Sequence, residues 1–205
     1  MEQFNQAVAI DTAGAVDYAR AEQVSFDHED LILVDSQDRV KGYDSKINAH
    51  RGRGQLHRAF SIFLFDGPDW VLLQQRSAKK PLWPLYWANS CCSHPRRGET
   101  CDDAAYRRLR EELGADTELH RLYRFVYRAR YLDRGVEHEL CTVYAGHYPR
   151  GRDLCTNTEE VRAWGWFSRS EVNDRIRLER SRFAPWFLLE WEHLQRHHLA
   201  QLAAL

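Results

Sequence analysis

Residues 98–114 read GETCDDAAYRRLREELG, and the whole fold is organised around this stretch. Ala105, Leu109 and Leu113 recur every four residues, the spacing that lines up one buried stripe on a helix. Asp102 and Asp103 fall in the first turn, where carboxylates favour the positive end of the helix dipole. Gly114 stands just past the last apolar position, as a helix stop should. The sequence therefore predicts a helix over Asp102–Leu113. The same stretch carries Glu99, Arg107, Arg108, Glu111 and Glu112; a charge run alone is usually a solvated face.

On either side of that helix the chain reads as strands. Leu31–Val34 is a short apolar run that ends in the turn signal Asp35-Ser36-Gln37-Asp38. His57–Phe65 (HRAFSIFLF) is a stronger run, and Val71–Gln75 matches it across Asp66-Gly67-Pro68-Asp69 as a hairpin. Residues 117–132 and 137–148 form a second pair, with Asp133-Arg134-Gly135 as the reversal. Ser168–Asp174 reads as a short helix capped by Ser168, and Pro185–Leu205 as one longer helix with proline in its first turn. Strands that enclose a helix and finish in helices predict an α+β fold of the α/β/α sandwich type. Residues 1–28 are polar and weakly patterned, and read as an N-terminal leader or mobile lid ahead of one domain spanning 29–205.

The chain has 205 residues and 43% hydrophobic content, enough for one domain with a real core. Its formal net charge of -1 argues against a nucleic-acid binder, which carries a basic surplus. No apolar run approaches the ~20 residues of a membrane helix, and no signal peptide is apparent. Of the five cysteines, Cys91 and Cys92 are adjacent, which is poor geometry for a mutual bridge; the expectation is reduced thiols in a cytoplasmic protein.

Three segments could converge on a metal: His50 with His57, His94 in ANSCCSHPRRGE, and Glu137 with Glu139 in VEHELCTVY. In a strand the two glutamates share a face while His138 points away. Buried together they would repel strongly unless a cation lay between them. Imidazole and carboxylate donors suit a borderline or hard divalent ion. Cys91 or Cys92 with His94 could also bind zinc, but no CxxC pair supports that reading. The alternative makes one cysteine an acid/base group beside a metal-bound histidine, where positive surroundings lower a thiol's pKa. Lys46, Arg76, Lys80, Arg107 and Arg108 are candidates for an anionic ligand.

From Glu99 the spacing of Arg107, Leu109, Glu111, Glu112 and Gly114 resembles the Nudix box, with two departures. Its opening glycine is Ser93, and the glutamate after its arginine is Arg108. Losing a carboxylate for a guanidinium speaks against metal-assisted pyrophosphate hydrolysis. Segments HRGRGQLHRAFSIFLF (50–65), WPLYWANSCCSHP (83–95), VYRARYLDRGVEHELCTVY (126–144) and RFAPWFLLEW (182–191) resemble the type I isopentenyl-diphosphate isomerases in order and spacing. The resemblance covers roughly residues 30–190. It implies a Nudix-like α/β/α sandwich with a mixed β-sheet and the interconversion of isopentenyl and dimethylallyl diphosphate, a Nudix-type diphosphate hydrolase being the alternative.

Position by position, the resemblance makes Cys92 and Glu139 the catalytic pair, with Tyr127 and Trp186 beside the reacting carbons. His50, His57, His94, Glu137 and Glu139 become metal ligands for Mn2+, Mg2+ or Zn2+. Glu112 would help hold a Mg2+ ion that arrives with the diphosphate, and Lys46, Arg76, Lys80 and Arg108 would contact the diphosphate. The expected partner is a small-molecule diphosphate, with neither nucleic acid nor membrane, and the expected state is a monomer or weak homodimer.

Overall fold

The computed structural model describes residues 11–205. In chain order the strands are β1 (Asp30–Val34), β2 (Val40–Ser45), β3 (His57–Asp66), β4 (Trp70–Arg76), β5 (Trp87–Ala88), β6 (Cys91–Ser93), β7 (His120–Tyr131), β8 (Gly135–His147) and β9 (Val161–Ser168). The helices are α1 (Lys46–Ala49), α2 (Cys101–Leu113), α3 (Arg169–Glu179), α4 (Pro185–His197) and α5 (Leu199–Leu202).

β3 is the hub of a mixed sheet. It runs parallel to β8 from His57↔Glu139 to Phe65↔His147, and antiparallel to β1, β4 and β6. β7 pairs with β8, and β9 with β4. Strand alternation then divides the core. Phe60, Ile62 and Leu64 pack with Ala105, Leu109 and Leu113 of α2 on one face. Ala59, Phe63 and Phe65 pack with Trp186, Phe187, Trp191 and Leu194 of α4 on the other. The α/β/α sandwich with a mixed sheet is therefore the observed architecture. Both faces of β3 are buried, which explains its nearly continuous apolar run.

The helix that anchors the reading forms as expected and starts one residue earlier. Thr100 caps it by accepting from the Asp103 amide, and Gly114 closes it at φ 63°. A Cβ at position 114 would lie 2.6 Å from the Cys155 Cβ. Gly114→Ala is expected to destabilise by more than about 1 kcal/mol, combining left-handed strain with this clash. A lower urea midpoint at unchanged slope would show it.

Several boundaries differ from the sequence reading. The C-terminal helix is not continuous to Leu205: it breaks at His198, whose φ of -124° is not helical, before the short α5. The Ser168-capped helix runs on to Glu179 and carries a full capping box with Glu171. The reversal after β7 uses Leu132, at φ 51°, and Gly135 already belongs to β8. β4 pairs with β3 at three positions and, along its other edge, over its whole length with β9, a strand the sequence reading missed. All five cysteines are unpaired. Among the described residues no helix is long and apolar enough to cross a membrane.

Of the N-terminal segment, the first ten residues lie outside the described region. Residues 11–28 run over the surface, making bridges at Asp17↔Leu154 and Arg20↔Asn157. The segment ends at the rim of the main cavity, which Ser25, Phe26, Asp27 and His28 help to line.

Candidate active site

The cavity has a volume of about 1000 Å³ and opens where α1, the start of β3, β6 and the start of β8 meet. At one end, His50, His57, His94, Glu137 and Glu139 bring one donor atom each to within 4.8 Å of all the others. The fold makes this convergence inevitable once the register is set. His57 is the direct partner of Glu139 across the parallel β3–β8 pair, and Glu137 sits two residues along the same strand face. His50 follows α1, its carbonyl accepting from the Val136 amide at 2.9 Å, and His94 follows β6.

The outer nitrogens are already committed. His50 Nδ1 lies 2.6 Å from the Lys46 carbonyl oxygen and His57 Nδ1 lies 2.8 Å from that of Gln55. A carbonyl can only accept, so each ring carries a proton on Nδ1, the usual support for a metal-binding imidazole; His57 turns its Nε2 lone pair inward, and His50 Nε2 donates to Glu137 Oε2 at 2.6 Å. The His57 Nε2 is buried with no hydrogen-bond partner. An orphaned buried acceptor facing two carboxylates is costly unless a cation completes the set. The donor set therefore fits a divalent ion.

Electrostatics without an ion show the same frustration. Burial drives His57 down to about 3, assisted by His50. Burial likewise holds His94 well below its ordinary value, with His57 and His50 adding to the effect. Burial opposes the charged form of His50 too, but Glu137 prevails and raises it. Glu137 is held well down despite burial by its contact with His50, at 2.6 Å. Glu139 is pushed well up by burial and by the neighbouring Glu137 charge. A divalent cation would reverse that push.

Beyond the ligand cluster lie the other candidate groups. Tyr127 donates to Glu139 Oε2 at 2.7 Å. Its ring is 6.4 Å from that of Trp186, which is held by an indole N–H donated to Asn89 at 3.2 Å and by a perpendicular contact with Trp83. Cys92 lies on β6, half-buried in the cavity wall. Burial pushes its thiol up to about 12, outweighing the Arg76 guanidinium 3.7 Å away. In the protein alone, burial outweighs one cation at that distance; the expected lowering belongs to a site whose histidine holds a metal.

The cationic candidates divide into two layers. Lys46, Arg76 and Lys80 line the cavity; Arg108 and Glu112 do not. Two of the Arg76 donors are tied to the carbonyls of Leu82 and Trp83, both at 3.0 Å. Arg108 sits buried behind Lys80 among three carboxylates, 2.6 Å from Glu112 and 3.1 Å from both Glu160 and Glu111. It also donates to the Val24 carbonyl at 2.8 Å, which ties down the N-terminal segment. Glu112 is occupied by this ion pair and is not part of the five-donor cluster.

A Nudix domain model matches residues 55–187. The isopentenyl-diphosphate Delta-isomerase 1 of Photorhabdus laumondii is 39% identical over 176 residues, covering 85% of this chain and 99% of that protein. The isopentenyl-diphosphate Delta-isomerase of Serratia proteamaculans is 39% identical over 180 residues, covering 86% and 97%. This chain belongs to the isopentenyl-diphosphate Delta-isomerase family. A crystal structure of a Deinococcus radiodurans protein aligns with a TM-score of 0.65 over 83% of this chain and 99% of that one; at 21% identity it speaks for the fold alone.

In this Delta-isomerase family member the structure adds Glu160, which the sequence reading passed over. It is buried in the turn just before β9 and forms ion pairs with Lys80 and Arg108. Its Glu159-Glu160 pair reads in sequence as a solvated turn, and only the fold turns one member inward. Burial alone would raise Glu160, yet Lys80 and Arg108 hold it down at about 2. A depressed carboxylate contributes stability above its unfolded pKa, near 4.5, and that contribution is lost as pH falls toward 2. Glu160→Gln is therefore expected to cost about 3 kcal/mol at pH 7 and to flatten the acid side of the stability curve below pH about 4.5. Thermal melts between pH 7 and 3 would show both effects.

Proposed function

We propose that this cavity interconverts isopentenyl diphosphate and dimethylallyl diphosphate by adding a proton at one carbon and removing one from another, with Cys92 and Glu139 as the proton-handling pair. The observation that carries the reading is the joint placement of two features. A five-donor metal cluster ends in Glu139, and an aromatic wall formed by Tyr127 and Trp186 stands beside it in the same cavity as Cys92. A diphosphate hydrolase has no need for such a wall, and Arg108 occupies the place of a hydrolytic carboxylate.

His50, His57, His94, Glu137 and Glu139 would hold a divalent ion, Mn2+, Mg2+ or Zn2+. When bound, that ion supplies positive charge that keeps the clustered carboxylates ionised. Lys46 and Lys80 at the cavity wall receive the diphosphate, supported by Arg76, with Arg108 and Glu112 behind them. Glu112 is placed to take part in binding a Mg2+ ion carried by the diphosphate, once its pairing with Arg108 is relaxed.

The five-carbon chain then lies between Cys92 and the Glu139–Tyr127 pair. Each turnover gives one proton to the substrate and takes another from it. The reverse direction uses the same two groups with their roles exchanged. The buried thiol is held as the neutral S–H, and Tyr127 links Glu139 to the substrate face through its hydroxyl. The intermediate has the character of a tertiary carbocation. The Trp186 face stabilises it by up to about 2 kcal/mol once water is excluded. Gln23 and Ser25 to His28, at the end of the N-terminal segment, serve as the cover on the open side, since trapped water would convert the cation to an alcohol.

Incubation with isopentenyl diphosphate and Mg2+ tests the reading. Dimethylallyl diphosphate is expected to form, and chelation followed by re-addition of Mn2+, Mg2+ or Zn2+ should abolish and restore the conversion. Release of phosphate or pyrophosphate without dimethylallyl diphosphate would replace the isomerase reading with hydrolysis.

A further inference from the structure

Beneath the cavity lies a carboxyl group that the proposed mechanism does not use. Glu190, on α4, is fully buried in the aromatic layer between that helix and the sheet. It follows Trp186 by one helical turn, so the two side chains leave the same face of the helix. No arginine, lysine or histidine pairs with it among the described residues. Its Oε1 accepts from the Cys141 thiol at 3.6 Å, and its Oε2 is buried without a partner. Burial pushes the acid up to about 8, against the pull of the Ser61 hydroxyl and the Cys141 thiol, so at neutral pH it is predominantly the neutral carboxylic acid.

The Ser61 hydroxyl completes the cluster. It is 3.5 Å from the Cys141 sulfur, and Ser61 also lines the catalytic cavity. In the β3–β6 pair, Ser61 is the direct partner of Cys92. Opposed residues in an antiparallel pair project to the same side with Cβ atoms about 4.5–5.5 Å apart. Cys141 and Ser61 therefore stand in turn between the buried acid and the Cys92 thiol. The Cys141 sulfur, 3.6 Å from Glu190 Oε1 and 3.5 Å from the Ser61 hydroxyl, links the acid to the serine.

We propose that Glu190 is a positioning residue for the isomerisation: acting through Cys141 and Ser61, it fixes the floor of the cavity under Cys92 and holds the thiol toward the hydrocarbon. This rests on the function proposed above. A buried acid with an unsatisfied oxygen is a poor stabilising element in an aromatic core, where an apolar side chain of similar volume serves better. Stability and activity should therefore respond in opposite directions to its removal.

The test combines Glu190→Leu, Glu190→Gln and Ser61→Ala, with melting temperature and steady-state kinetics on isopentenyl diphosphate. Glu190→Leu is expected to raise Tm by about 2–4 °C and to lower kcat by on the order of 10–100-fold, the scale of a misplaced reacting group, with KM within about twofold. Glu190→Gln, which keeps a donor and an acceptor, should recover most of kcat. Ser61→Ala should show the same kcat loss, and combining it with Glu190→Leu should add little. A wild-type kcat in Ser61→Ala, or losses that multiply in the double variant, would overturn the proposal. So would a fall in kcat that Glu190→Gln fails to recover. Should Glu190→Leu not fold, Ser61→Ala and Glu190→Gln decide alone. An inactive wild-type enzyme would instead remove the function on which the inference rests.

Discussion

Replacing Cys92 by alanine is expected to lower turnover of isopentenyl diphosphate by about 10²–10⁴-fold, the range for losing a general acid–base group. The side chain is half-buried at the cavity wall, and its removal takes away a single sulfur atom, so the fold should tolerate the change. Cys91, its immediate neighbour, cannot take over. Its side chain belongs to the opposite face of the sheet, packed with the α2 core, and it is fully buried there. Proton exchange sharpens the test. In heavy water the wild-type protein should place deuterium in both five-carbon diphosphates, whereas Cys92→Ala should leave them unlabelled. Wild-type labelling by Cys92→Ala would make the thiol a bystander and leave Glu139 with Tyr127 to handle both protons.

Arg108→Met should unsettle the fold itself. The guanidinium is 2% exposed and sits where a cation is required, against Glu111, Glu112 and Glu160. These carboxylates hold its pKa above the ordinary value even though burial opposes its charge. Methionine keeps the bulk of the side chain but leaves Glu112 without a cation, while Glu111 retains Arg107 and Glu160 retains Lys80. Removing one partner of a buried ion pair costs about 3–5 kcal/mol, or roughly 6–20 °C in a chain of this size. The loss should be greatest in metal-free buffer and should be partly repaired by millimolar Mg2+, because a divalent ion can neutralise the same carboxylates by mass action. An unchanged melting curve would show that the internal cation contributes nothing to stability. In either case diphosphate turnover should fall, since the second layer that supports Lys80 is disrupted.

These two residues differ in how far they could be read from the sequence. Arg108 was visible as a departure from a spaced pattern: the Nudix spacing fixed its helical position, and the helical period placed it beside Glu111 and Glu112. That it also reaches Glu160, 52 positions later, depends on β9 running antiparallel to β4, and no local signal carries that pairing. For Cys92 the sequence supplied the residue and its two-position spacing to His94. The burial that pushes its thiol up in the protein alone was not legible there. A thiol's protonation depends on how completely neighbouring layers strip it of water, which local composition does not reveal.

The sequence by itself determined the anchoring helix with its caps, the hub strand His57–Phe65, the hairpin that follows it, and the identities of the five metal-donor candidates. Each rests on local periodicity, turn chemistry or residue type, all short-range properties of the chain. Tertiary structure alone decided the parallel register that sets His57 opposite Glu139, the inward turn of Glu160, the break at His198, and the burial of Glu190 beneath Ser61. Those features arise from pairings between segments far apart in the chain, where the free energy of excluding water from a shared interior outweighs each segment's own preferences.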